Sequence, residues 1–468
     1  MKIYNTLTRS KEDFLPIHEG EARIYSCGPT VYNYAHIGNL RTYVFMDILR
    51  RVLKLNGYKL LHVMNITDVG HLTSDADEGE DKMESAAKKQ QKSPYEIAAY
   101  YTDVFFKDLK RLNIERPEIT PRATEHINQM IDFVVGLCEK GYGYETSDGI
   151  YFDIEKFPGY GKLSGTQIDD QLAGARVSVN DEKHNPADFA LWKKAPKEHI
   201  MQWPSPWGMG YPGWHIECST MSREYLGDTF DIHTGGVDHI PIHHENEIAQ
   251  SEALLGHPAV NYWMHGEFLL VDNGKMSKSL GNTYTVDNLI ERGFSPLAYR
   301  YFCLNGHYRN KLNFTWDGLA AAQKTLNRLY EGALKHKNGN GKISPATISK
   351  FTKQFNEAVS DDLNVPFAVG VVWNAMRCEK SKDIYEFLLK ADEILGLDIE
   401  KNVDELEKKQ SEPEREEDIP AEITALATER ANAKKEKNYA LADELRGRIA
   451  DAGYIIVDTK DGFSVRKK

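Results

Sequence analysis

A strand–helix–strand pattern near the N-terminus constrains the fold more than any other feature of the 468-residue sequence. Ala22–Ser26 is a short strand-like run, residues 38–55 carry apolar side chains at helical spacing, and 59–65 reads as a second strand. Such a unit implies a parallel sheet with a right-handed crossover, and ligands of such sheets bind beyond the carboxyl ends of the strands. We therefore predict that Cys27 and Thr67, which follow the two strands, lie at that edge.

The rest of the chain divides into segments of different character. Residues 114–205 are rich in turn signals and read as an insertion, after which Phe230–His233 and Glu267–Val271 are candidate strands of a buried sheet. Helical patterns follow from Trp316, and the charged stretch 401–418 lacks aromatic residues, which is typical of a linker. Two helices and a hairpin are predicted beyond it, so the chain is an α/β protein with a small α+β tail.

The bulk composition excludes several classes of protein. No stretch approaches about 18 consecutive apolar residues and the N-terminal residues lack the apolar core of a signal peptide, so we expect a cytoplasmic protein with no membrane span. The net charge of −12 argues against a surface that binds nucleic acid all over, although it allows a local basic patch. The five cysteines include no C-x-x-C pair, so any metal site must combine distant segments.

Two segments suit the binding of a nucleoside triphosphate. His36, Gly38 and Asn39 lie where the first strand's loop enters the helix, and free N–H groups at a helix N-terminus favour phosphate. The loop 274–281 places Lys275 and Lys278 between glycines, where they can stabilise charge on a transferring phosphorus. The ordinary alternatives are a capping histidine for the first segment and a solvated surface turn for the second.

A third constellation suits a metal ion. His243 and Glu247 stand at i and i+4 on one helix face, and Cys27 and Cys218 offer two thiolates. Two sulfurs, an imidazole and a carboxylate make a reasonable zinc set. Two inert buried thiols are the alternative, since the cysteines are far apart in sequence.

Together these residues resemble the class I aminoacyl-tRNA synthetases, and among them the cysteinyl-tRNA synthetase family. Residues 36–39 resemble the HIGH motif and 275–279 the complete KMSKS motif of that class. Narrower similarities to the family lie at 27–32, 213–218, 241–250, 264–266 and 361–366.

The resemblance implies a particular chemistry and set of ligands. It implies ATP with Mg²⁺, L-cysteine and tRNA(Cys) as substrates, and one Zn²⁺ per chain that recognises the thiol of cysteine. The implied zinc ligands are Cys27, Cys218, His243 and Glu247. The implied catalytic residues are His36, Asn39, Lys275 and Lys278, with Gly38, Thr67 and Trp214 as further contacts to ATP or cysteine.

The resemblance also implies a domain layout. A Rossmann-like parallel-sheet catalytic domain spans 1–315, with the insertion at about 114–205 and the KMSKS region at 268–315. A helical bundle over 316–400, a linker over 401–418 and an anticodon-binding domain over 419–468 follow. We expect a monomer.

Two departures and two alternatives accompany this resemblance. The fourth position of the HIGH motif is Asn39, and 69–72 reads Val-Gly-His-Leu where many members have an Asp-Asp-Lys pattern. A ligase that joins activated cysteine to an amino sugar resembles the catalytic part but lacks the tail. A non-catalytic tRNA-binding paralogue is disfavoured by the intact KMSKS motif and ligand set.

The sequence generates one prediction at the KMSKS lysine. Lys278→Ala is expected to slow cysteine-dependent ATP–pyrophosphate exchange by about two orders of magnitude or more, because the ammonium stabilises charge that develops only in the transition state. Folding, checked by circular dichroism, is expected to be unaffected. A well-folded variant with an unchanged exchange rate would contradict the assignment.

Overall fold

The computed structural model describes residues 1–70, 81–165, 181–276, 281–411, 419–459 and 462–467. Within these ranges the chain forms two compact units, Met1–Asn402 and Val403–Lys468. The strands are β1 Lys2–Asn5, β2 Ser10–Asp13, β3 Glu21–Ser26, β4 Lys59–Met64, β5 Gly143–Glu145, β6 Gly149–Phe152, β7 Phe189–Lys194, β8 Trp203–Ser205, β9 Gly208–Pro212, β10 Phe230–Gly236, β11 Val260–Gly266, β12 Leu269–Val271, β13 Gly274–Lys275, β14 Leu312–Phe314, β15 Tyr454–Thr459 and β16 Gly462–Lys467. The helices are α1 Ile37–Leu55, α2 Lys82–Gln90, α3 Pro94–Arg111, α4 Ile127–Glu139, α5 Trp214–Leu226, α6 His243–Leu255, α7 Val286–Glu291, α8 Pro296–Leu304, α9 Trp316–Lys337, α10 Pro345–Ser360, α11 Val365–Ala375, α12 Lys382–Leu395, α13 Ile399–Ser411, α14 Ala421–Lys435 and α15 Tyr439–Asp451.

A parallel sheet of four strands, in the order β11-β10-β3-β4, forms the centre of the first unit. The predicted strand–helix–strand unit is present as β3, α1 and β4, with Ile24 opposite both His62 and Ile232. Helix α1 packs against this sheet and against α12, while α5 packs on β3 and β4. The expected α/β fold with a parallel sheet is thus confirmed.

One strand of this sheet was placed wrongly by the sequence analysis. The predicted strand Glu267–Val271 is only the short β12, which belongs to a separate sheet with β13 and β14. The fourth strand of the central sheet is β11 instead, paired in parallel with β10. The sequence of β11 contains the aromatic residues Tyr262 and Trp263, which favour strands. The ring of Trp263 stacks on that of His233 in β10, with 4.5 Å between the ring centroids.

The predicted insertion forms its own antiparallel sheet of five strands, in the order β5-β6-β7-β9-β8. Its core is aromatic: the rings of Phe152 and Phe189 stack at 5.0 Å, and Trp192 is fully buried. The sheet continues to Pro212, so the insertion extends a few residues beyond the predicted boundary near 205.

A buried ion pair between α1 and α8 lies where these helices meet the end of α12. Arg300 Nη2 of α8 lies 2.6 Å from Asp47 Oδ2 of α1, and both side chains are wholly shielded from solvent. The same guanidinium donates to the carbonyl oxygens of Leu395 and Leu112. The helices up to α12, which include those of the predicted bundle over 316–400, belong to the first unit.

The segment predicted as a linker begins as a helix. Helix α13 runs through Ser411, while residues 412–418 lie outside the described part of the chain. Ile399 and Val403, one turn apart on the same face, are both buried. Because the predicted linker is mostly charged, its composition did not reveal that Val403 continues the buried face that begins at Ile399.

The second unit contains α14, α15 and the predicted terminal hairpin of β15 and β16. Its small core consists of Ile423, Ala427, Ile449 and Ile456. In the described parts of the whole chain, no helix is long and apolar enough to cross a membrane.

The ion pair of Arg300 yields a prediction about stability. Arg300→Met is expected to lower the free energy of unfolding by about 3–5 kcal/mol, because it leaves the buried carboxylate of Asp47 short of a partner. All seven tryptophans precede residue 403, so tryptophan fluorescence in a urea titration reports on the first unit.

Lys353→Met is the matched control. Lys353 pairs with Glu357 at 3.8 Å, but its side chain is 74% exposed, so a loss below about 0.5 kcal/mol is expected. Equal losses in the two variants would contradict the structural role of Arg300.

Candidate active site and metal-binding cluster

A cavity of about 270 Å³ opens where the central strands end and α1 begins. Its lining combines the loop after β3, the start of α1 and side chains from α3 and α5. Seven residues that the sequence analysis selected line this one cavity: Cys27, His36, Asn39, Thr67, Trp214, Cys218 and His243. The structure therefore brings together residues as far apart in the chain as Cys27 and His243, as expected for the carboxyl edge of a parallel sheet.

Four of the proposed metal ligands converge at one side of this cavity. Cys27 Sγ lies 4.0 Å from Cys218 Sγ and 3.9 Å from Glu247 Oε1. His243 Nε2 lies 3.6 Å from Cys218 Sγ and 3.1 Å from Glu247 Oε1. All four residues are buried, and their ligand atoms lie within 4.8 Å of one another.

These separations fit a tetrahedral metal ion. Zinc bonds of about 2.3 Å to sulfur and about 2.0–2.1 Å to nitrogen or oxygen place the ligand atoms of a tetrahedron roughly 3.3–3.8 Å apart. Four of the six separations lie between 3.1 and 4.0 Å and the other two are at most 4.8 Å, so the ligand atoms would have to move by about 1 Å or less to hold the ion. Two sulfurs with one imidazole and one carboxylate suit zinc better than they suit magnesium or calcium.

A second set of four also satisfies the geometric condition, namely Cys27, His233, His244 and Glu247. Cys27 Sγ lies 3.2 Å from His244 Nε2, and His233 Nε2 lies 2.7 Å from Glu247 Oε2. His233 and His244 do not line the cavity, whereas Cys218 and His243 do. An ion held by the first set would therefore have three of its ligands on the cavity wall, against one for the second set.

The residues around the first set hold the ligands in place. His215 Nδ1 lies 2.9 Å from His243 Nδ1, and His233 occupies the second oxygen of Glu247. Burial opposes ionisation of Glu247, yet the charges of His233 and His243 outweigh it and hold the pKa of Glu247 well below its usual range. Burial raises the pKa of the Cys27 thiol, so a metal ion that bound this thiol would displace its proton.

The start of α1 differs in detail from the predicted phosphate contact. His36 is the helix cap: its Nδ1 accepts a hydrogen bond from the Asn39 N–H at 3.1 Å, and Asn39 Oδ1 accepts from the His36 N–H at 3.3 Å. The capping alternative is therefore present, and it accounts physically for asparagine at the fourth motif position. Both residues still line the cavity, so capping and substrate binding are compatible.

The KMSKS loop lies mostly outside the described residues. Lys278 falls in the undescribed range 277–280, and of Lys275 only the backbone in β13 is described, opposite Leu270. Met276 shows where the loop begins, because a Cβ added to Gly38 would lie 3.6 Å from its terminal methyl carbon. The described flank of the loop thus reaches the N-terminus of α1.

Thr67 and Trp214 line the cavity together with the proposed metal ligands Cys27, Cys218 and His243. Thr67 Oγ1 donates to Glu217 Oε2 at 2.8 Å and accepts from Asn65 Nδ2 at 2.9 Å, which fixes its rotamer. The ring of Trp214 lies 4.2 Å from that of His243. A small ligand whose thiol reaches the cluster would contact both residues.

Sequence reasoning missed two cavity residues in the turn after β10. Asp238 and His239 follow the strand's carboxyl end, and Asp238 is the one carboxylate lining the cavity within the described ranges. Burial lowers the pKa of His239 to about 4, so its ring is neutral. The rule that selected Cys27 and Thr67 would have selected this turn as well.

Comparisons with known proteins agree with this geometry. The family model of the class I (C) tRNA synthetase catalytic domain matches residues 13–324. Methionyl-tRNA synthetase of Mycobacterium tuberculosis, bound by methionyl-adenylate, superposes with a TM-score of 0.57 at 14% identity, over 82% of this chain and 92% of that chain. The Agrobacterium radiobacter LeuRS–tRNA–LeuAMS complex gives 0.59 at 13% identity, over 85% and 86%. The fold and the catalytic-domain match define a class I aminoacyl-tRNA synthetase.

More similar relatives specify the family. The cysteine--tRNA ligase of Treponema denticola is 46% identical over 98% of both chains, and that of Thermococcus gammatolerans is 43% identical over 99% of this chain and 98% of its own. The model of the cysteinyl-tRNA ligase anticodon binding domain matches residues 416–466. The chain belongs to the cysteine--tRNA ligase family.

Two substitutions test how much the capping side chain of His36 contributes to stability. His36→Ala is expected to lower the free energy of unfolding by about 1 kcal/mol, because the cap of α1 is lost. His36→Asn retains a good capping side chain and is expected to unfold like the wild type. Thermal unfolding checks both variants, and equal stability of all three proteins would show that the cap contributes nothing.

Proposed function

We propose that the chain is a cysteine--tRNA ligase that activates L-cysteine with ATP·Mg²⁺ and transfers the cysteinyl group to tRNA(Cys). Family membership over nearly the full length supports this proposal. The observation that carries it is the shared cavity, which has a metal-compatible set of Cys and His ligands at one side and the capped N-terminus of α1 at another. Such a cavity offers a thiol-binding end to the amino acid and a phosphate-binding end to ATP.

The proposal includes one zinc ion per chain, held by Cys27, Cys218, His243 and Glu247. A thiol bound to zinc loses its proton and becomes a strong, soft ligand, while the hydroxyl of serine stays a weak one. A steric pocket alone would distinguish the two amino acids by a factor of only about 10–200. The donor set therefore supplies the selectivity that shape cannot supply.

Other residues of the cavity position the remaining parts of cysteine. The Thr67 hydroxyl and the Trp214 ring lie next to the cluster and enclose the bound amino acid. Asp238 is the cavity's carboxylate within the described ranges and suits the α-ammonium group. The carboxylate of cysteine then points away from the proposed metal ligands, towards the N-terminus of α1, where the phosphates of ATP bind.

Activation is an in-line displacement that needs no protein nucleophile. A carboxylate oxygen of cysteine attacks the α-phosphorus of ATP, the bond to the bridging oxygen breaks, and pyrophosphate leaves with the electron pair. The N-terminus of α1, His36 and Asn39 orient the phosphates, while Lys275 and Lys278 neutralise the developing charge. A ribose hydroxyl at the end of the tRNA then attacks the activated carbonyl carbon and AMP leaves.

We assign anticodon recognition to the second unit, consistent with the domain model that matches it. The amino-sugar ligase alternative lacks such a tail and is disfavoured for that reason. The intact donor set disfavours a non-catalytic paralogue. The proposed enzyme acts as a monomer in the cytoplasm.

An exchange assay tests the function. Pyrophosphate exchange into ATP is measured with each of the twenty amino acids, and cysteine is expected to be the one that supports it. Charging of tRNA(Cys) is then compared between the full chain and a variant that ends at residue 418, which should retain exchange and lose charging efficiency. Absence of cysteine-dependent exchange would contradict the proposal, and unchanged charging by the shorter chain would contradict the role of the tail.

The metal site yields a separate prediction. The wild type is expected to hold about one zinc ion per chain, whereas Cys218→Ser and His243→Ala should lose the metal and the affinity for cysteine together. Elemental analysis and cysteine titration of the purified proteins measure the two properties.

Cys378→Ser is the matched control for this prediction. Cys378 is a free thiol that lies outside the cavity, so its variant should keep both metal and cysteine. A metal-free wild type that is fully active would contradict the site, as would full metal content in Cys218→Ser.

A further inference from the structure

The cavity contains a cation that no part of the proposed mechanism uses. Lys82 is the one lysine or arginine among the described residues that line the cavity, just as Asp238 is the one carboxylate. ATP and the carboxylate of cysteine both bring negative charge into this space. A lone ammonium group here therefore faces anionic ligands in any substrate complex.

The position of Lys82 is fixed by its neighbours. It is the first residue of α2, whose cap is Asp81. Asp81 Oδ1 accepts hydrogen bonds from the Met83 and Glu84 N–H groups at 2.8 and 2.9 Å, and Asp81 Oδ2 lies 3.2 Å from His199 Nε2. The backbone at Lys82 is thus held by a capped helix that is fastened to the insertion.

Among the described residues, the carboxylates next to Lys82 in the chain, those of Asp81 and Glu84, have other partners. Glu84 Oε1 accepts from the Ile200 N–H at 2.7 Å and lies 3.4 Å from His199 Nδ1. Within the described ranges, no carboxylate lies at ion-pair distance from Lys82. Its ammonium also stands at the positive end of a helix dipole, which is an unfavourable place for a cation. A residue that breaks a local rule in this way is expected to serve function rather than folding.

Lys82 lines the cavity next to the loop after β4, which carries Thr67, a proposed contact to cysteine. Gly70, three residues after Thr67, lies directly against Asp81, because a Cβ added there would come within 1.8 Å of Asp81 Oδ2. The start of α2 therefore adjoins the loop after β4 that carries Thr67. Lys82 thus lines the same cavity as Thr67 and His36, which the proposed function assigns to cysteine and to phosphate.

We propose that Lys82 binds an anionic oxygen at the reacting end of the substrates, either the carboxylate of cysteine or the α-phosphate of ATP. Two anions must approach each other for the attack to occur, and a cation shared between them reduces their repulsion. The inference rests on the proposed function and adds a substrate-binding residue to it.

The test compares Lys82→Met and Lys82→Arg in the full-length, zinc-loaded protein, with Lys89→Met as the matched control. Lys89 lies on the same helix, is exposed and does not line the cavity. Calorimetry without ATP gives the dissociation constants of cysteine and of cysteamine, which has the thiol and the amine but no carboxylate. Exchange kinetics give the KM for ATP.

If Lys82 binds the carboxylate, Lys82→Met should weaken cysteine binding about 10–100-fold and leave cysteamine binding unchanged, since a charge-assisted hydrogen bond is lost. If it binds the α-phosphate, the KM for ATP should rise by a similar factor with cysteine binding unchanged. In either case Lys82→Arg should retain part of the substrate affinity that Lys82→Met loses. Lys89→Met should bind both substrates like the wild type, and the melting temperature of Lys82→Met should not fall.

Two results would overturn the inference. Lys82→Met could leave both cysteine and ATP unaffected, or it could weaken cysteamine as much as cysteine, which would indicate a disturbed pocket. A wild type without cysteine-dependent exchange would overturn the proposed function as well, so the two failures are distinguishable.

Discussion

A buried polar chain fixes the register of the central sheet, and the site depends on that register. Ser26 Oγ, near the end of β3, lies 2.6 Å from Thr234 Oγ1 on β10 and 2.7 Å from His62 Nε2 on β4. Burial and the neighbouring charge of Arg50 lower the pKa of His62 to about 3, so the ring is neutral and hydrogen-bonds as an uncharged group. A slip of one residue in β3 would break both contacts and turn Cys27 away from Cys218. Cys27, the residue that follows Ser26, is thus positioned by the pairing of β3 with β10 and β4.

The cluster that this register assembles carries a high electrostatic cost on its own. Two thiols, a carboxylate and several imidazoles are buried together, and burial lowers the pKa of His244 and His265 well below the usual range. Isolated charges are expensive in such an environment unless they are paired or bound to a metal ion. A cation bound by two thiolates and a carboxylate would offset that cost, which links the stability of the site to its proposed use.

Much of this organisation was accessible from the sequence, because it follows from local periodicity and from the rule for strand ends. The pattern over 22–65 located β3, α1 and β4, and the strand-end rule placed Cys27 and Thr67 correctly at the cavity. Residue chemistry offered Cys218, His243 and Glu247 as candidate ligands and the family resemblance favoured them, but their convergence depends on long-range packing that spacing alone cannot reveal.

Other features were not accessible for identifiable reasons. Strand β11 was missed because a neighbouring apolar run, Glu267–Val271, carried a similar signal. Lys82 gave no motif at all, since its significance arises only where α2 begins beside the cavity. The contact between Arg300 and Asp47 likewise joins distant helices, and no periodic pattern predicts a buried pair of that kind.

The central claim is that a protein-bound zinc ion selects cysteine by its thiol. It is tested most directly by measuring the affinities for cysteine and serine calorimetrically, with the same preparation zinc-loaded and then stripped by a chelator. The account predicts that the zinc-loaded protein prefers cysteine by more than the roughly 200-fold limit of a steric pocket, and that the stripped, folded protein falls below that limit. Full preference for cysteine in the folded, zinc-free protein would contradict it.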